Sequence, residues 1–449
     1  MAVKDTRPGK ESSGPSNVNP KGRQNSGEIK LPWLAIFALA MGMLVYGVAE
    51  SYGPVTAITN IIPSQFYYLS LSLSFIAAGF GALLAGFLTD KLGRKPAFLI
   101  IGGMVIVGTA VFLVAPTNAA ALIISFILVG MGAIGAETPI ITAIAELIPA
   151  RFRGRLETIV QNFGNIGVAI VFIPALIRLS FAQDLTAYAI LLIAPIIALV
   201  VGYWAVSESR PWEAVTGKAS EDIKQAWKTV DKEEVEAVNP TVGLGRRYFF
   251  ITLIGIVQDV AFVWIAYDIG YLYFVNYSAV IPVIGGIMMA VVGILAGIFF
   301  VHRLPRKTFA VLAYGLLVVL WAILWIYVVS TGNYSGLPLL VIVAILFIPT
   351  ELTWSARAML NPELFPTKTR GRWVSFTRAA VWIISGIITL LLSVYYYPGA
   401  ATQTSSMFNI STAIVMAIFL AGLIMSIVWY FKGFETGRKS LSGFDIKSE

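Results

Sequence analysis

Five carboxylates lie inside long apolar runs of this chain: Glu50, Glu137, Asp259, Asp268 and Glu351. Away from water a carboxylate takes up a proton, pairs with a cation or binds a ligand, because burial disfavours the lone ionised form. Amides accompany the acids. Gln161, Asn162 and Asn165 share one run, and Gln258 precedes Asp259. An amide both donates and accepts hydrogen bonds, which suits a polyol, whereas an acid in the same set suits an amine or a proton. Trp354 lies close after Glu351 in the same run. The competing use of these groups is structural, each satisfying another between helices. Arg357 and Arg378 also lie within apolar runs and read as structural partners of Glu146 or of nearby carbonyls.

The elements that must position these residues are helices. Of 449 residues, 57% are hydrophobic and 12% charged, and the mean hydropathy is +0.80. Soluble domains carry about 25% charged residues, so the composition excludes a soluble enzyme, a disordered scaffold and a nucleic-acid-binding domain. Roughly 20 apolar residues span a bilayer as a helix. Apolar segments fall at 32–55, 66–88, 96–115, 120–147, 156–178 and 186–206, then at 248–275, 279–301, 308–330, 337–360, 373–394 and 408–431. The expected fold class is an all-α polytopic membrane protein with 12 transmembrane helices in two six-helix bundles, 31–206 and 248–432. A tail over 1–30, a central loop over 207–247 and a tail over 433–449 complete the chain. Residues 1–29 hold no apolar run, fail as a signal peptide and read as a disordered cytosolic tail. Within the central loop, Ser220-Glu221-Asp222-Ile223 followed by Ala226, Trp227 and Val230 reads as a capped amphipathic helix. Tyr267, Tyr271, Tyr273, Phe274 and Tyr277 read as an interfacial belt. Gly164, Gly167, Gly293 and Gly297 read as close-packing positions.

Charge placement orients the helices. All but three of the 32 Lys and Arg residues (Arg178, Arg357 and Arg378) fall on the side that holds both termini. That side is read as cytosolic, with the chain multi-pass in the plasma membrane. The net charge of +8 belongs to these loops and not to a nucleic-acid site. Cysteine is absent and histidine occurs once, as His302, so no metal and no cofactor are expected. Without a G-x-x-x-x-G-K-[ST] loop, an ATP-driven pump is not expected.

Two signals recur. Glu146-Leu147-Ile148-Pro149-Ala150-Arg151-Phe152-Arg153-Gly154-Arg155 returns as Glu363-Leu364-Phe365-Pro366-Thr367-Lys368-Thr369-Arg370-Gly371-Arg372. Lys91-Leu92-Gly93-Arg94-Lys95 returns as Arg303-Leu304-Pro305-Arg306-Lys307. Parallel six-helix repeats about the membrane normal are a transporter architecture, with a solute site near the midplane between halves.

Gly86-Phe87-Leu88-Thr89-Asp90-Lys91-Leu92-Gly93-Arg94-Lys95 resembles the helix 2–3 loop signature of the major facilitator superfamily. The two E-x-x-P-x-x-x-R-G runs, holding Glu146, Arg153 and Gly154 and then Glu363, Arg370 and Gly371, resemble its sugar porter branch. So do the run around Glu208, with its order altered, and the run around Glu435. The resemblance implies that Gly86, Asp90, Gly93, Arg94, Lys95 and these loop residues form an inner gate. It also implies that Gln161, and the Gln258-Asp259 position, face the solute. The chain departs from the pattern in places. His302 stands where the second signature would carry an acid. Phe126 replaces the helix 4 Arg used by proton-coupled sugar porters, and a G-P-x-G-G antiporter run is missing. Gly135-Ala136-Glu137-Thr138-Pro139-Ile140 is similar to a run of organic-ion carriers.

The resulting expectation is a secondary transporter, not an enzyme, acting as a monomer in the bilayer. It moves a small polar solute, a sugar or an organic acid or cation, by alternating access with proton symport. The solute is expected at Gln161, Asn162, Asn165, Gln258, Asp259 and Trp354, and the proton or cavity function at Glu50, Glu137, Asp268 and Glu351. Facilitated uniport and a non-transporting sensor are the alternatives.

Overall fold

In a bilayer every backbone N–H and C=O must be paired within the protein, so a chain this apolar folds into helices. The computed structural model describes residues 31–59, 61–63, 67–177, 179–218, 236–332, 336–396 and 405–444. Its long helices are α1 Trp33–Glu50, α2 Tyr67–Lys91, α3 Arg94–Val114, α4 Ala119–Leu147, α5 Ala150–Leu176, α6 Phe181–Ala205, α7 Leu244–Val263, α8 Val280–Phe299, α9 Arg306–Thr331, α10 Leu337–Glu363, α11 Arg370–Tyr396 and α12 Ser405–Lys432. Among the described residues 11 helices are long and apolar enough to cross a membrane. The remaining one, α11, has 27 residues and carries three arginines in its first third. The central-loop helix read at 220–230 and the two tails over 1–30 and 445–449 lie outside the described residues.

The helices pack in two related sets. In the first half α4 packs on α2 and α3, and α1 on α5, α6 and α4. In the second half α9 packs on α10 and α12, and α7 on α11, α12 and α10. Two seams join the halves, α2 against α11 and α8 against α5. The repeat relates α2 to α8 and α5 to α11, so these seams are copies of one contact.

Small residues allow each seam to close. A Cβ on Gly86 would run into the Ser375 side chain and lie 2.7 Å from the Gly371 carbonyl oxygen. A Cβ on Gly293 would run into the Asn162 amide, and one on Gly297 would meet Ile159 at 3.0 Å. Gly86→Val is therefore expected to push α2 off α11. A longer distance between spin labels on exposed Lys91 and Lys368 would register it, and an unchanged distance would refute the seam.

Three local features differ from expectation. Helix α5 begins at Ala150, well before 156, with Pro149 at its N-cap and Arg153 of its first turn paired with Glu363. Helix α7 continues through a π turn, Trp264–Asp268, into Ile269–Tyr273. The aromatic belt is not one: Tyr267, Tyr273 and Phe274 are buried, and Tyr277 is exposed. They fill the packing between helices, with Tyr273 edge-on to Phe408.

Candidate functional site

Two layers of polar side chains cross the seam between the halves. The first lies halfway along the helices. On α5 the amides of Gln161, Asn162 and Asn165 fall within little more than one turn and face one carboxylate on α10. Glu351 Oε1 accepts from Asn162 Nδ2 at 2.8 Å, from Gln161 Nε2 at 3.3 Å and from Ser355 Oγ at 2.7 Å. Its Oε2 accepts from Asn165 Nδ2 at 2.7 Å. Every donor is neutral, and Glu351 is 0% exposed. A second amide bond, Asn165 Nδ2 to Asn162 Oδ1 at 2.7 Å, locks the set. Helix α10 carries Pro349 just before the acid; proline lacks an N–H and leaves a carbonyl one turn earlier without its helical donor.

Beside this cage stands a charged cluster. Glu137 of α4 pairs with Arg357 Nη2 at 2.8 Å and with Arg378 Nε at 2.5 Å, and all three side chains are buried. Arg357 Nε also donates to Gln258 Oε1 at 2.8 Å, and Arg378 Nη2 to Tyr46 Oη at 3.3 Å. The two arginines thus pair with Glu137, not with Glu146 or inner carbonyls. The Glu146 oxygens are held instead by Arg94 and Arg370. Asp259 has Arg378, Arg357 and Glu137 as charged neighbours; Glu50 has Asp259, Arg378 and Glu137. Tyr46 stacks on Trp354 at 5.9 Å and so links the cluster to the cage. Asp268, in the π turn, is buried apart from these groups, with its Oδ2 unpartnered. The five acids therefore do not line one space. Glu351 has its own cage, Glu50, Glu137 and Asp259 share two guanidiniums, and Asp268 stands alone.

Several polar atoms of this layer lack hydrogen-bond partners: Gln161 Oε1, Asn165 Oδ1, Asp259 Oδ2, Trp354 Nε1, Arg357 Nη1 and Arg378 Nη1. Buried polar atoms are normally satisfied, so each of these atoms is a point that water or a hydroxyl completes.

The second layer lies where Lys and Arg concentrate. Arg94 holds Glu146 with two bonds, Nε to Oε2 at 2.8 Å and Nη2 to Oε1 at 2.7 Å. From the other half, Arg370 Nη1 reaches the same Oε1 at 2.6 Å. The second copy repeats the pattern. Arg306 donates to Glu363 at 3.2 and 3.3 Å, and Arg153 reaches it across the seam at 3.0 Å. Ser209 and Thr436 add matching hydroxyl bonds to Glu146 and Glu363. Glu208 accepts from the Arg94 and Lys95 amides at 2.8 and 3.3 Å, and Glu435 accepts from Arg306 and Lys307 at the same distances. Each therefore caps a helix N-terminus. The Lys95 ammonium lies over Tyr203 at 5.1 Å. Gly93, at φ +119°, turns the chain where a Cβ would strike Glu208. A Cβ on Gly154 would strike the Arg306 guanidinium, and one on Gly371 would sit 2.6 Å from Asp90.

The copies diverge at Asp90. Asp90 caps α11, accepting from the Gly371 and Arg372 amides at 3.0 and 2.9 Å and from Arg372 Nε at 3.1 Å. Its counterpart is His302, whose Nδ1 has no partner. Desolvation, with Arg155, Arg303 and Arg438 nearby, holds the His302 imidazole below its usual value. It is then neutral at and above about pH 7. His302→Gln is expected to leave pH-dependent behaviour unchanged between about pH 7 and pH 8, measured on reconstituted protein. A displaced profile would reveal a protonated imidazole.

Sequence reading named the acids and amides but missed Arg357, Arg378, Tyr46 and Ser355 as site members, and Glu157 altogether. The signal for the arginines was their exclusion from the charge asymmetry of the loops, since a cation inside a span needs a buried acid. No comparable signal marks Tyr46.

Comparison with known proteins follows the same lines. The Major Facilitator Superfamily model matches residues 32–389. The glucose transporter GlcP of Staphylococcus epidermidis is 26% identical, over 80% of this chain and 86% of its own. The putative niacin/nicotinamide transporter NiaP of Bacillus subtilis is 24% identical, over 90% and 94%. Among solved structures, the proton:xylose symporter XylE superposes with a TM-score of 0.69 at 17% identity, covering 93% of this chain and 99% of that one.

Proposed function

The chain belongs to the Major Facilitator Superfamily, and from that premise we propose that it moves a small, uncharged, hydroxyl-bearing solute by alternating access with proton symport through Glu351. The unpartnered donors and acceptors at mid-depth carry the solute assignment. A hydroxyl both donates and accepts, so it suits the unpartnered donors and the unpartnered acceptors of this layer alike. An anion is disfavoured because Glu137, Asp259 and Glu50 already place three carboxylates around Arg357 and Arg378. Relatives named for glucose and, in a galactose-proton symporter of Escherichia coli, for both a sugar and a proton favour the same class.

The proton assignment rests on what faces each acid. Glu137 has two guanidiniums and stays ionised. Glu351 has only neutral donors, and an uncompensated buried charge is costly. Amides suit both protonation states, since a turned amide offers its oxygen to a carboxylic acid. The basic end is assigned to the cytosol of the plasma membrane, the second layer to the gate that closes it, and the bilayer to the medium in which a monomer works. The test is uptake into proteoliposomes of labelled sugars, polyols, organic acids and organic cations, with and without an inward proton gradient. Gradient-driven accumulation of a sugar or polyol is expected. Gradient-indifferent equilibration would replace symport with uniport, and selective uptake of an anion would overturn the solute class.

A further inference from the structure

Opening the basic end must separate groups that now bind across the seam, and the two halves are not equally prepared for it. When the halves part, Glu146 keeps Arg94 and Ser209, and Glu363 keeps Arg306 and Thr436. Arg370 keeps the carbonyls of Pro362 and Phe365 and the Thr367 hydroxyl, all in its own half. Arg153 differs. Among the described residues its acceptors are Glu363 and the Lys439 carbonyl, both in the second half. A buried guanidinium left alone is costly.

One acceptor stands ready. Glu157 lies one helical turn above Arg153 on α5, the spacing at which side chains on one face meet. It is 1% exposed, and neither of its carboxylate oxygens has a hydrogen-bond partner. In the second half the corresponding position is Val374, where Arg370 needs no such partner. The charged groups facing Glu157 are Arg153 on its own helix, Glu363 of α10, Arg306 of α9 and Arg370 of α11. In the closed state Arg153 and Arg306 are both committed to Glu363.

We propose that Glu157 is a second proton site, which holds a proton while the basic end is closed and gives it up when Arg153 leaves Glu363 and turns onto Glu157 as that end opens. The proton passes to water admitted by the opening, and the charge it leaves behind is balanced by Arg153. One proton is released for each opening. This rests on the alternating-access reading above but not on its assignment of Glu351. It makes Glu157 a positioning residue for the gate and a release site on that side.

The experiment uses the full chain in lipid nanodiscs. Because the sequence holds no cysteine, labels can be placed at Lys91→Cys and Arg303→Cys, exposed in corresponding loops of the two halves. Pulsed electron-spin distances then give the open-to-closed ratio from about pH 5.5 to about pH 8. Linkage requires that releasing one proton raise that ratio by about tenfold per pH unit within the titration window. Glu157→Gln should flatten this rise and hold the chain closed at high pH. Glu157→Asp should restore a slope. In an Arg153→Gln background, Glu157→Gln should have no further effect, because the pair acts as a unit. A Glu157→Gln slope equal to that of the unsubstituted chain overturns the proposal. If the slope is instead lost in Glu351→Gln alone, the coupling acid is upheld and Glu157 is not. A distance that never changes overturns alternating access itself.

Discussion

Glu351→Gln is expected to abolish uphill accumulation while leaving exchange of labelled for unlabelled solute intact. Glutamine keeps the size of the side chain and can still bond the α5 amides, so the cage should persist. What it loses is the ability to take up and release a proton. With one proton per solute, each pH unit of gradient supports about a tenfold concentration ratio. The variant should fall from that ratio to simple equilibration. Counterflow in the same vesicles separates this outcome from a misfolded chain. Loss of both activities would assign Glu351 to solute binding or to folding, and retained accumulation would move the proton to Asp259.

Glu137→Gln is expected to have the largest effect on stability. The carboxylate pairs with both Arg357 and Arg378 where none of the three is exposed by more than 1%. Removing one partner of a buried ion pair costs roughly 3–5 kcal/mol, because the remaining charge is left uncompensated. Here two guanidiniums would remain close together. The melting temperature in detergent should drop steeply. Adding Arg357→Met should recover part of the loss, since Arg378 then retains Asp259 and Glu50 as neighbours. A Glu137→Gln variant as stable as the unsubstituted chain would mean that the arginines find other partners. A double variant weaker than the single one would mean that Arg357 matters through Gln258.

These two variants also divide the acids by role. Composition and spacing placed Glu137 and Glu351 in the same class, both mid-depth in apolar helices. They differ in what the neighbouring helices bring to them. Glu137 meets α10 and α11 at their arginines, and Glu351 meets α5 at its amides. The difference in partners, two guanidiniums for Glu137 and neutral donors for Glu351, follows from those crossings.

Much of the architecture was legible in the chain. Apolar runs of bilayer length dictated the helices, because lipid offers no partner to an unpaired backbone group. The skewed Lys and Arg distribution set their weave. The repeated E-x-x-P-x-x-x-R-G and [KR]-L-x-R-K runs marked the second layer, since short loops hold charged groups at fixed distances from helix ends. Glu208 and Glu435 could be named for the same reason, although their action as helix caps could not. Partner choice between helices was decided only by the tertiary structure. The assignment of Arg357 and Arg378 to Glu137, the burial of Tyr267, the π turn at Trp264–Asp268 and the unbonded carboxylate of Glu157 depend on crossing angles and rotation about each helix axis. Spacing along a helix says which residues share a face. It does not say what that face meets, because contacts between segments some 200 residues apart arise from packing and not from local periodicity.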